Sequence, residues 1–314
     1  MRTYLSTSRN NYSLFMVMVI CVLAMVFLYG TVFRSNIVID EIECSTKEGI
    51  VEVPIEKIMR GEPLVLPQDD DTIVQYIWSK KLVHPPSAKP YNLSDSLEDP
   101  SRGQGQLIRK ILKNMTNGYF VECGALDGET RSNTLFMEQH LGWKGLLIEG
   151  DPSNYEMLVA KNRKSWASNT CLAIKPHPHQ ARFFKHFNRG RILGESPENF
   201  ISSGNLSPGE KAEPVAIVQC MPLFSLLKAL SVKVVDYFSL DVEGNELQVL
   251  KTIPFDKILI RTLSVEYIHT DEGKDKLLDF MLSKGYNLYG EVHYENNLAN
   301  DLIFVHPSIT VTPE

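Results

Sequence analysis

The sequence is poor in cysteine and has no surplus of positive charge. Its 314 residues include five cysteines, too few for the disulfide scaffold of a small secreted domain. Lysine and arginine number 32 against 38 aspartate and glutamate residues, which gives a formal net charge of −6. Because nucleic-acid binding needs clustered Lys and Arg, this balance argues against a nucleic-acid partner. The sequence also has no internal repeat and no Cys/His spacing typical of zinc, so we expect no metal site.

Long hydrophobic runs are absent except for one near the N-terminus. Residues 14–33 contain no charged side chain, and a helix of this length spans about 30 Å, the thickness of a bilayer core. A cleaved signal peptide is the main alternative, but its hydrophobic region is usually shorter and ends in small residues. Here the run closes on Leu28, Tyr29 and Gly30. We therefore predict an uncleaved transmembrane signal-anchor at 14–33 that follows a cytosolic tail at 1–13.

The flanking charges predict the orientation of this span. Arg2 and Arg9 precede it, whereas Asp40 and Glu41 follow it soon after. The positive-inside rule then leaves the tail in the cytosol and the rest of the chain in the lumen or outside. Three glycosylation acceptor patterns agree with this orientation, at Asn92, Asn114 and Asn205. We expect a single-pass type II protein in a secretory-pathway membrane (endoplasmic reticulum, Golgi, endosome or plasma membrane).

The cysteines outside the predicted span are even in number. Cys21 falls within the span, and Cys44, Cys123, Cys171 and Cys220 follow it. Four cysteines allow three pairings, and we favour Cys171 with Cys220 because each lies in or next to a short strand-like run. Buried free thiols are the alternative, most of all for Cys123.

The pattern changes between residues 34–103 and residues 104–314. The first region contains seven prolines between 54 and 100, and we predict a lumenal stem of limited structure with a short helix near 71–82. From 104 onward, strand-like and helix-like runs alternate to the C-terminus, which predicts one α/β domain with a mostly parallel sheet and helices on both faces. The last two strands are expected to form a hairpin at the sheet edge.

A glycine-bearing turn follows the first strand of this domain. The sequence from Val121 to Gly128 reads VECGALDG, and Gly124 permits a tight turn and close approach of a ligand. In doubly wound sheets this turn lies at the carboxyl end of the first strand, where cofactors bind.

An acidic residue ends the next strand, 25 residues after Gly124. Glu149 closes the run GLLIE, at the position where nucleotide-binding α/β folds hold ribose hydroxyls. Its neighbour Asp151 precedes Pro152 and is better explained as a helix N-cap.

Two further acidic groups follow later strands. Asp241, Glu243 and Glu246 come directly after the run VDYFSL, with Asp241 best placed to face a cleft and Glu246 next to a helix N-terminus. Glu266 and His269 follow the run TLSV, and His269 is a candidate base for a hydroxyl nucleophile.

Several of these strings together resemble the FkbM-type family of S-adenosylmethionine-dependent methyltransferases. They are FVECGALDGE, SNTL, GWKGLLIEGDP, VDYFSLDVEGNELQVL and LSVEY, and the resemblance extends over about 85–314. It is strongest to the membrane-anchored Star-like animal branch. The resemblance implies a class I methyltransferase-like (Rossmann-like) fold with a mostly parallel seven-stranded sheet.

The resemblance also implies roles for the candidate residues. Cofactor-binding positions would be Glu122, Gly124, Asp127 and Gly128 around the methionine part and Glu149 at the ribose. Asp241, Glu243 and His269 would serve the donor and acceptor site. The implied function is O-methylation of an unknown hydroxylated acceptor with S-adenosylmethionine. The alternative is a non-catalytic Star-like trafficking factor that carries membrane-bound growth-factor precursors from the endoplasmic reticulum toward the Golgi and endosomes, with membrane-protein cargo as its partner.

Overall fold

The structure is a computed structural model that describes residues 41–46, 49–62, 65–94, 98–194, 214–270, 272–295 and 299–310. The described residues belong to one compact unit. The predicted span at 14–33, the tail before it and the acceptor pattern at Asn205 lie outside them. None of the described helices is both long enough and apolar enough to cross a bilayer.

Thirteen strands and eight helices are described. The strands are β1 (Glu41–Thr46), β2 (Gly49–Pro54), β3 (Tyr119–Cys123), β4 (Lys144–Ile148), β5 (Trp166–Ser168), β6 (Cys171–Leu172), β7 (His179–Phe184), β8 (Arg191–Gly194), β9 (Val215–Met221), β10 (Val234–Leu240), β11 (Leu259–Glu266), β12 (Asn287–Tyr294) and β13 (Ala299–Val305). The helices are α1 (Ile55–Arg60), α2 (Asp71–Ser79), α3 (Gln104–Ile111), α4 (Leu135–Leu141), α5 (Pro152–Ala160), α6 (Leu223–Ala229), α7 (Glu246–Thr252) and α8 (Lys274–Ser283).

The main sheet has seven strands in the order β12-β13-β11-β10-β3-β4-β5. The five strands from β11 to β5 pair in parallel. Strand β13 is antiparallel to both of its neighbours, β11 and β12, and it forms a hairpin with β12 at the edge. The sheet is therefore mixed, with one reversed strand, and the predictions of a mostly parallel seven-stranded sheet and a terminal hairpin are confirmed.

Alternate residues of the central strands face opposite layers of helices. Val121 and Cys123 of β3 pack into one hydrophobic cluster with residues of α1, α2, α6, α7 and α8. Phe120 of the same strand packs into a second cluster with residues of α3, α4 and α5. Because successive side chains of a strand point to opposite faces, both faces of the sheet are covered, as the run of apolar strands predicted.

Four further strands form a second sheet. The alternation of strands and helices along the sequence would by itself assign these strands to the main sheet. The order of the second sheet is β6-β9-β7-β8, with β6 parallel to β9 and the other pairs antiparallel. Period and composition identify a strand but not its partner, since pairing depends on contacts distant in sequence.

The region predicted as a stem contributes to the core. Ile55, Ile58 and Met59 of α1 and Ile73 and Ile77 of α2 are almost fully buried in the larger cluster. Helix α2 begins at an Asp70 cap, whose carboxylate accepts from the Thr72 backbone N–H, which confirms the short helix. The prolines limit the length of these elements but do not prevent them from packing, so the expectation of limited structure at 34–103 is wrong for α1 and α2.

Candidate functional site

A cleft open to solvent lies at the carboxyl ends of β3, β4 and β10. Five of the residues predicted to bind the cofactor or to act in catalysis line it: Glu122, Gly124, Glu149, Asp241 and Glu243. The loops that follow parallel strands meet at one edge of the sheet. The structure therefore brings together residues that are more than 100 positions apart.

The turn after β3 is built from positive backbone angles. Gly124, Leu126 and Gly128 have φ of 82°, 54° and 78°. Asp127 is buried, and its carboxylate accepts from the backbone N–H groups of Glu129 and Thr130 and from the Thr130 hydroxyl. Asp127 and Gly128 do not line the cleft. Asp127 fixes the turn, and a Cβ added at Gly128 would lie 3.1 Å from the Leu158 side chain. The place of these two residues at the cofactor stays a prediction.

Glu122 lines the cleft, but the following loop occupies its carboxylate. Its oxygens accept from the Asn133 backbone N–H at 2.7 Å, the Ser132 hydroxyl at 2.9 Å and the Thr134 hydroxyl at 2.5 Å. Burial raises the pKa of Glu122, and the charge of Arg163 opposes this rise. Glu122 therefore holds the 132–134 segment in place, and any contact with a cofactor is secondary to that.

The carboxylate of Glu149, at the end of β4, accepts hydrogen bonds from two different turns. One carboxylate oxygen accepts from the Leu126 backbone N–H and the other from the Asp151 backbone N–H, both at 2.8 Å. Burial raises its pKa to about 7, although these two hydrogen bonds act in the opposite direction. A carboxylate has about four lone-pair sites, and the Asn154 side chain also bonds to Glu149, so Glu149 keeps acceptor capacity for about one further hydrogen bond from the cleft. Asp151 caps α5 by accepting from the Ser153 backbone N–H, as predicted.

The loop after β10 packs tightly against the turn after β3. The Asp241 backbone N–H donates to the Cys123 carbonyl at 3.1 Å. A Cβ added at Gly124 would lie 2.0 Å from the Asp241 carbonyl oxygen. Only glycine permits this approach, so the predicted need for glycine at position 124 has a specific cause.

Glu246 shapes the loop that carries Asp241 and Glu243. Its carboxylate turns back to accept from the backbone N–H groups of Val242 and Gly244 at 2.9–3.2 Å and from the Thr270 hydroxyl at 3.0 Å. Glu243 adopts a left-handed φ of 58° within this loop. Glu246 complements the dipole of α7, and through these hydrogen bonds it also fixes the positions of Asp241 and Glu243 in the cleft.

Carboxyl groups crowd this end of the cleft and raise one another's pKa. One oxygen each from Asp241, Glu246 and Glu266 lies within 4.8 Å of the other two. Burial and then the neighbouring charges of Asp241 and Glu246 raise the pKa of Glu266 to about 9. Asp241 is exposed to the cleft, yet enclosure of its carboxylate by protein atoms, followed by the charge of Glu243, raises its pKa well above the ordinary value.

His269 does not line the cleft. Its Nδ1 lies 3.0 Å from a carboxylate oxygen of Glu243 and 3.3 Å from one of Glu266. The sequence predicted His269 as a base that meets the acceptor directly. The structure places it behind Glu243 instead, because the loop after β11 turns it toward that carboxylate.

A further set of cleft residues, not predicted from the sequence, comes from three other segments of the chain. Arg102 and Gln104 lie at the start of α3, Arg131 and Asn133 precede α4, and Phe183, Phe187, Asn188 and Ile192 belong to the β7–β8 hairpin. The hairpin follows no strand of the main sheet, so the rule that ligands bind at the carboxyl ends of parallel strands does not point to it.

The predicted disulfide is present. Cys171 and Cys220 are bonded, with Cα atoms 4.3 Å apart at facing positions of β6 and β9. Cys171 also lines the cleft, and Cys123 is a buried free thiol. Asn92 and Asn114 are both exposed, although the Asn92 side-chain amide donates to the Ala160 carbonyl.

These residues fit a nucleoside cofactor. Glu149 offers spare acceptor capacity where a ribose would present hydroxyl donors, and the backbone of 124–126 lines the same wall. The glycine turn leaves that backbone open to close approach.

Residues 122–288 match the model of the methyltransferase FkbM domain. No curated protein matches the chain significantly. Among solved structures, TrmK of M. capricolum in complex with S-adenosyl-homocysteine aligns over 66% of this chain and 71% of its own, with 9% identity and a TM-score of 0.35. The family model covers more than half of the sequence, and the chain therefore belongs to the FkbM methyltransferase domain family, whose cofactor is S-adenosylmethionine.

Proposed function

We propose that the protein is an S-adenosylmethionine-dependent O-methyltransferase that acts on a hydroxylated acceptor. The observation that carries this proposal is the position of Asp241. It is exposed to the same cleft as Glu149, and its loop rests against the turn at Gly124. The Asp241 carboxylate, a proton acceptor, is therefore held beside the wall of the cleft, at Gly124 and Glu149, that can bind a nucleoside.

The bound cofactor supplies an activated methyl group, so positioning accounts for most of the catalysis. Glu149 accepts a hydrogen bond from a ribose hydroxyl, and the 124–126 backbone supports the same part of the cofactor. Asp241 takes the proton from the acceptor hydroxyl. The raised pKa of Asp241 makes its ionised form a stronger base than an ordinary aspartate. His269 orients Glu243 and is a positioning residue.

A binding and transfer experiment tests this function. The full-length chain is purified in a neutral detergent and heated with and without S-adenosylhomocysteine, which must raise the melting temperature if it binds the folded state. Radiolabelled S-adenosylmethionine and secretory-pathway extract then report methyl transfer. Binding with transfer supports the proposal, whereas absence of both contradicts it. Binding without transfer contradicts the catalytic part and favours the trafficking alternative.

We further propose that the domain is lumenal or extracellular, in a type II protein anchored through residues 14–33. The Cys171–Cys220 disulfide supports this, since disulfides persist in oxidising compartments, and so do the exposed acceptor sites at Asn92 and Asn114. In cells, removal of N-glycans by glycosidase is expected to increase gel mobility. Substitution of the three acceptor asparagines by glutamine should abolish that shift, and a chain that shows no shift at all contradicts the topology.

A further inference from the structure

Four arginines surround the acceptor end of the cleft, the end bordered by Asp241 and Glu243. Arg102 and Arg131 line it directly. Arg189 and Arg191 lie in the β7–β8 hairpin, next to the lining residues Asn188, Gly190 and Ile192. Burial raises the pKa of Glu243, and the charges of these two arginines oppose that rise.

Two of these guanidinium groups lack hydrogen-bond partners. In the part of the chain that the structure describes, neither Arg102 nor Arg131 donates a side-chain hydrogen bond or forms an ion pair within 4.0 Å. Arg102 stacks over the Tyr294 ring at 5.2 Å, and its Nε is buried with no acceptor. A guanidinium group carries five N–H donors in a planar fork that matches carboxylate and phosphate. Half-buried arginines without acceptors therefore favour an oxyanion from outside the protein.

The neighbouring carboxyl groups do not neutralise this positive charge fully. Glu266 has a pKa of about 9, and Asp301 has a pKa of about 7, chiefly through burial. The pKa values of Glu243 and Glu246 are also raised, again chiefly by burial. Near neutral pH these groups thus carry less negative charge than their number suggests.

The cofactor does not account for the arginines either. S-adenosylmethionine has one carboxylate, and its ammonium and sulfonium groups give it a positive net charge. That carboxylate can pair with one guanidinium group at most in bidentate geometry, so the cofactor accounts for at most one of the four arginines.

We propose that the acceptor is a hydroxylated molecule that carries an oxyanion, a carboxylate or a phosphate, bound by Arg131 together with Arg189 and Arg191. This inference rests on the proposed methyltransferase function and specifies its substrate class. The hydroxyl to be methylated then faces Asp241, while the anionic group is held at the rim.

Three matched sugars test the inference: D-glucuronate, D-glucose 6-phosphate and neutral D-glucose. Their binding to the full-length chain in neutral detergent is followed by saturation-transfer NMR, with and without S-adenosylhomocysteine. We expect at least one anionic sugar to bind about tenfold more tightly than glucose. The two anionic arms distinguish a carboxylate acceptor from a phosphate acceptor.

Variants locate the binding site of the anion. Arg131→Gln and Arg189→Gln are each expected to weaken anion binding about tenfold. The matched control is Arg60→Gln, which removes the same charge from an exposed residue of α1 outside the cleft and should change nothing. Arg189 is exposed, so its variant remains informative if Arg131→Gln fails to fold.

Equal behaviour of the three sugars, including no binding by any of them, overturns the inference. So does an Arg189→Gln variant that binds the anions as the unmodified chain does. The proposed function fails separately, through absence of S-adenosylhomocysteine binding, and the titrations without that ligand still report on the arginines.

Discussion

The Gly124 Cα and the Asp241 carbonyl oxygen are so close that a Cβ at position 124 would lie 2.0 Å from that oxygen. The two residues begin the loops after β3 and β10, adjacent parallel strands. The loop after β3 forms the wall proposed to bind the cofactor, and the loop after β10 carries the proposed base, Asp241. The contact between the loops therefore sets the distance between the cofactor and the base.

Replacement of Gly124 by alanine is expected to destabilise the protein beyond the cost of a positive φ. Gly285→Ala is a matched control, because Gly285 has φ of 84° with no atom within 4 Å of the added Cβ. The control should cost about 1 kcal/mol and Gly124→Ala at least about 2 kcal/mol more. Urea unfolding of both variants measures the difference, and equal free energies of unfolding would show that the two loops are not in close contact.

Cofactor affinity should depend on the protonation of Glu149. Its ionised form accepts a hydrogen bond from a ribose hydroxyl, and its pKa of about 7 lies above the ordinary value of 4.5. Below pH 7 the ionised fraction falls about tenfold per pH unit, so the affinity for S-adenosylhomocysteine should fall with it and reach a plateau above pH 8. Calorimetry between pH 5.5 and 8.5 measures this. Glu149→Gln should bind weakly without this pH dependence, and a flat profile for the unmodified chain would contradict the assignment.

Loss of the Asp241 carboxylate should reduce transfer more than binding. Asp241→Asn is expected to lower the rate of methyl transfer by about 10²–10³ and to leave S-adenosylhomocysteine affinity little changed. Asp256→Asn makes the same chemical change at an exposed residue outside the cleft and should retain full activity. If Asp241→Asn transfers methyl groups at the unmodified rate, another group must accept the proton.

Removal of the disulfide should destabilise the fold by about 4 kcal/mol in the chain-entropy model, since Cys171 and Cys220 are 49 positions apart. The Cys171→Ser, Cys220→Ser double variant is compared with the unmodified chain by urea unfolding, with and without reductant. Cys123→Ala is the control, because it removes a buried thiol and leaves the bond intact. The reductant should destabilise this control and the unmodified chain but not the double variant.

Local sequence pattern was sufficient to predict the strands of the main sheet and the pairing of Cys171 with Cys220. It also identified Glu149, since the acid at a strand end has a defined place in this type of sheet. Local pattern was insufficient to predict the role of Asp127, because that role depends on which backbone N–H groups its carboxylate accepts from. For His269 the sequence located the loop but not the direction of the ring, which Glu243 and Glu266 determine together.

The remaining site residues were beyond local pattern for a different reason. Arg131 and Arg189 lie in segments without periodicity, and only tertiary packing brings Arg131 into the cleft lining and Arg189 next to it. Likewise, Ile55 and Ile73 lie in a proline-rich region whose composition is typical of a linker, yet they are buried against one face of a sheet whose first strand begins more than 40 residues later.

The second sheet has a consequence for how the specificity of this protein can change. All four of its strands fall within one continuous stretch, from Cys171 to Met221, inserted between β5 and α6. The cofactor turn at Gly124, Glu149 at the tip of β4 and Asp241 after β10 lie outside that stretch. The proposed acceptor site is thus partly modular: exchange of this one segment would replace Arg189 and Arg191 and leave Arg131, Asp241 and the methyl-donor wall as they are.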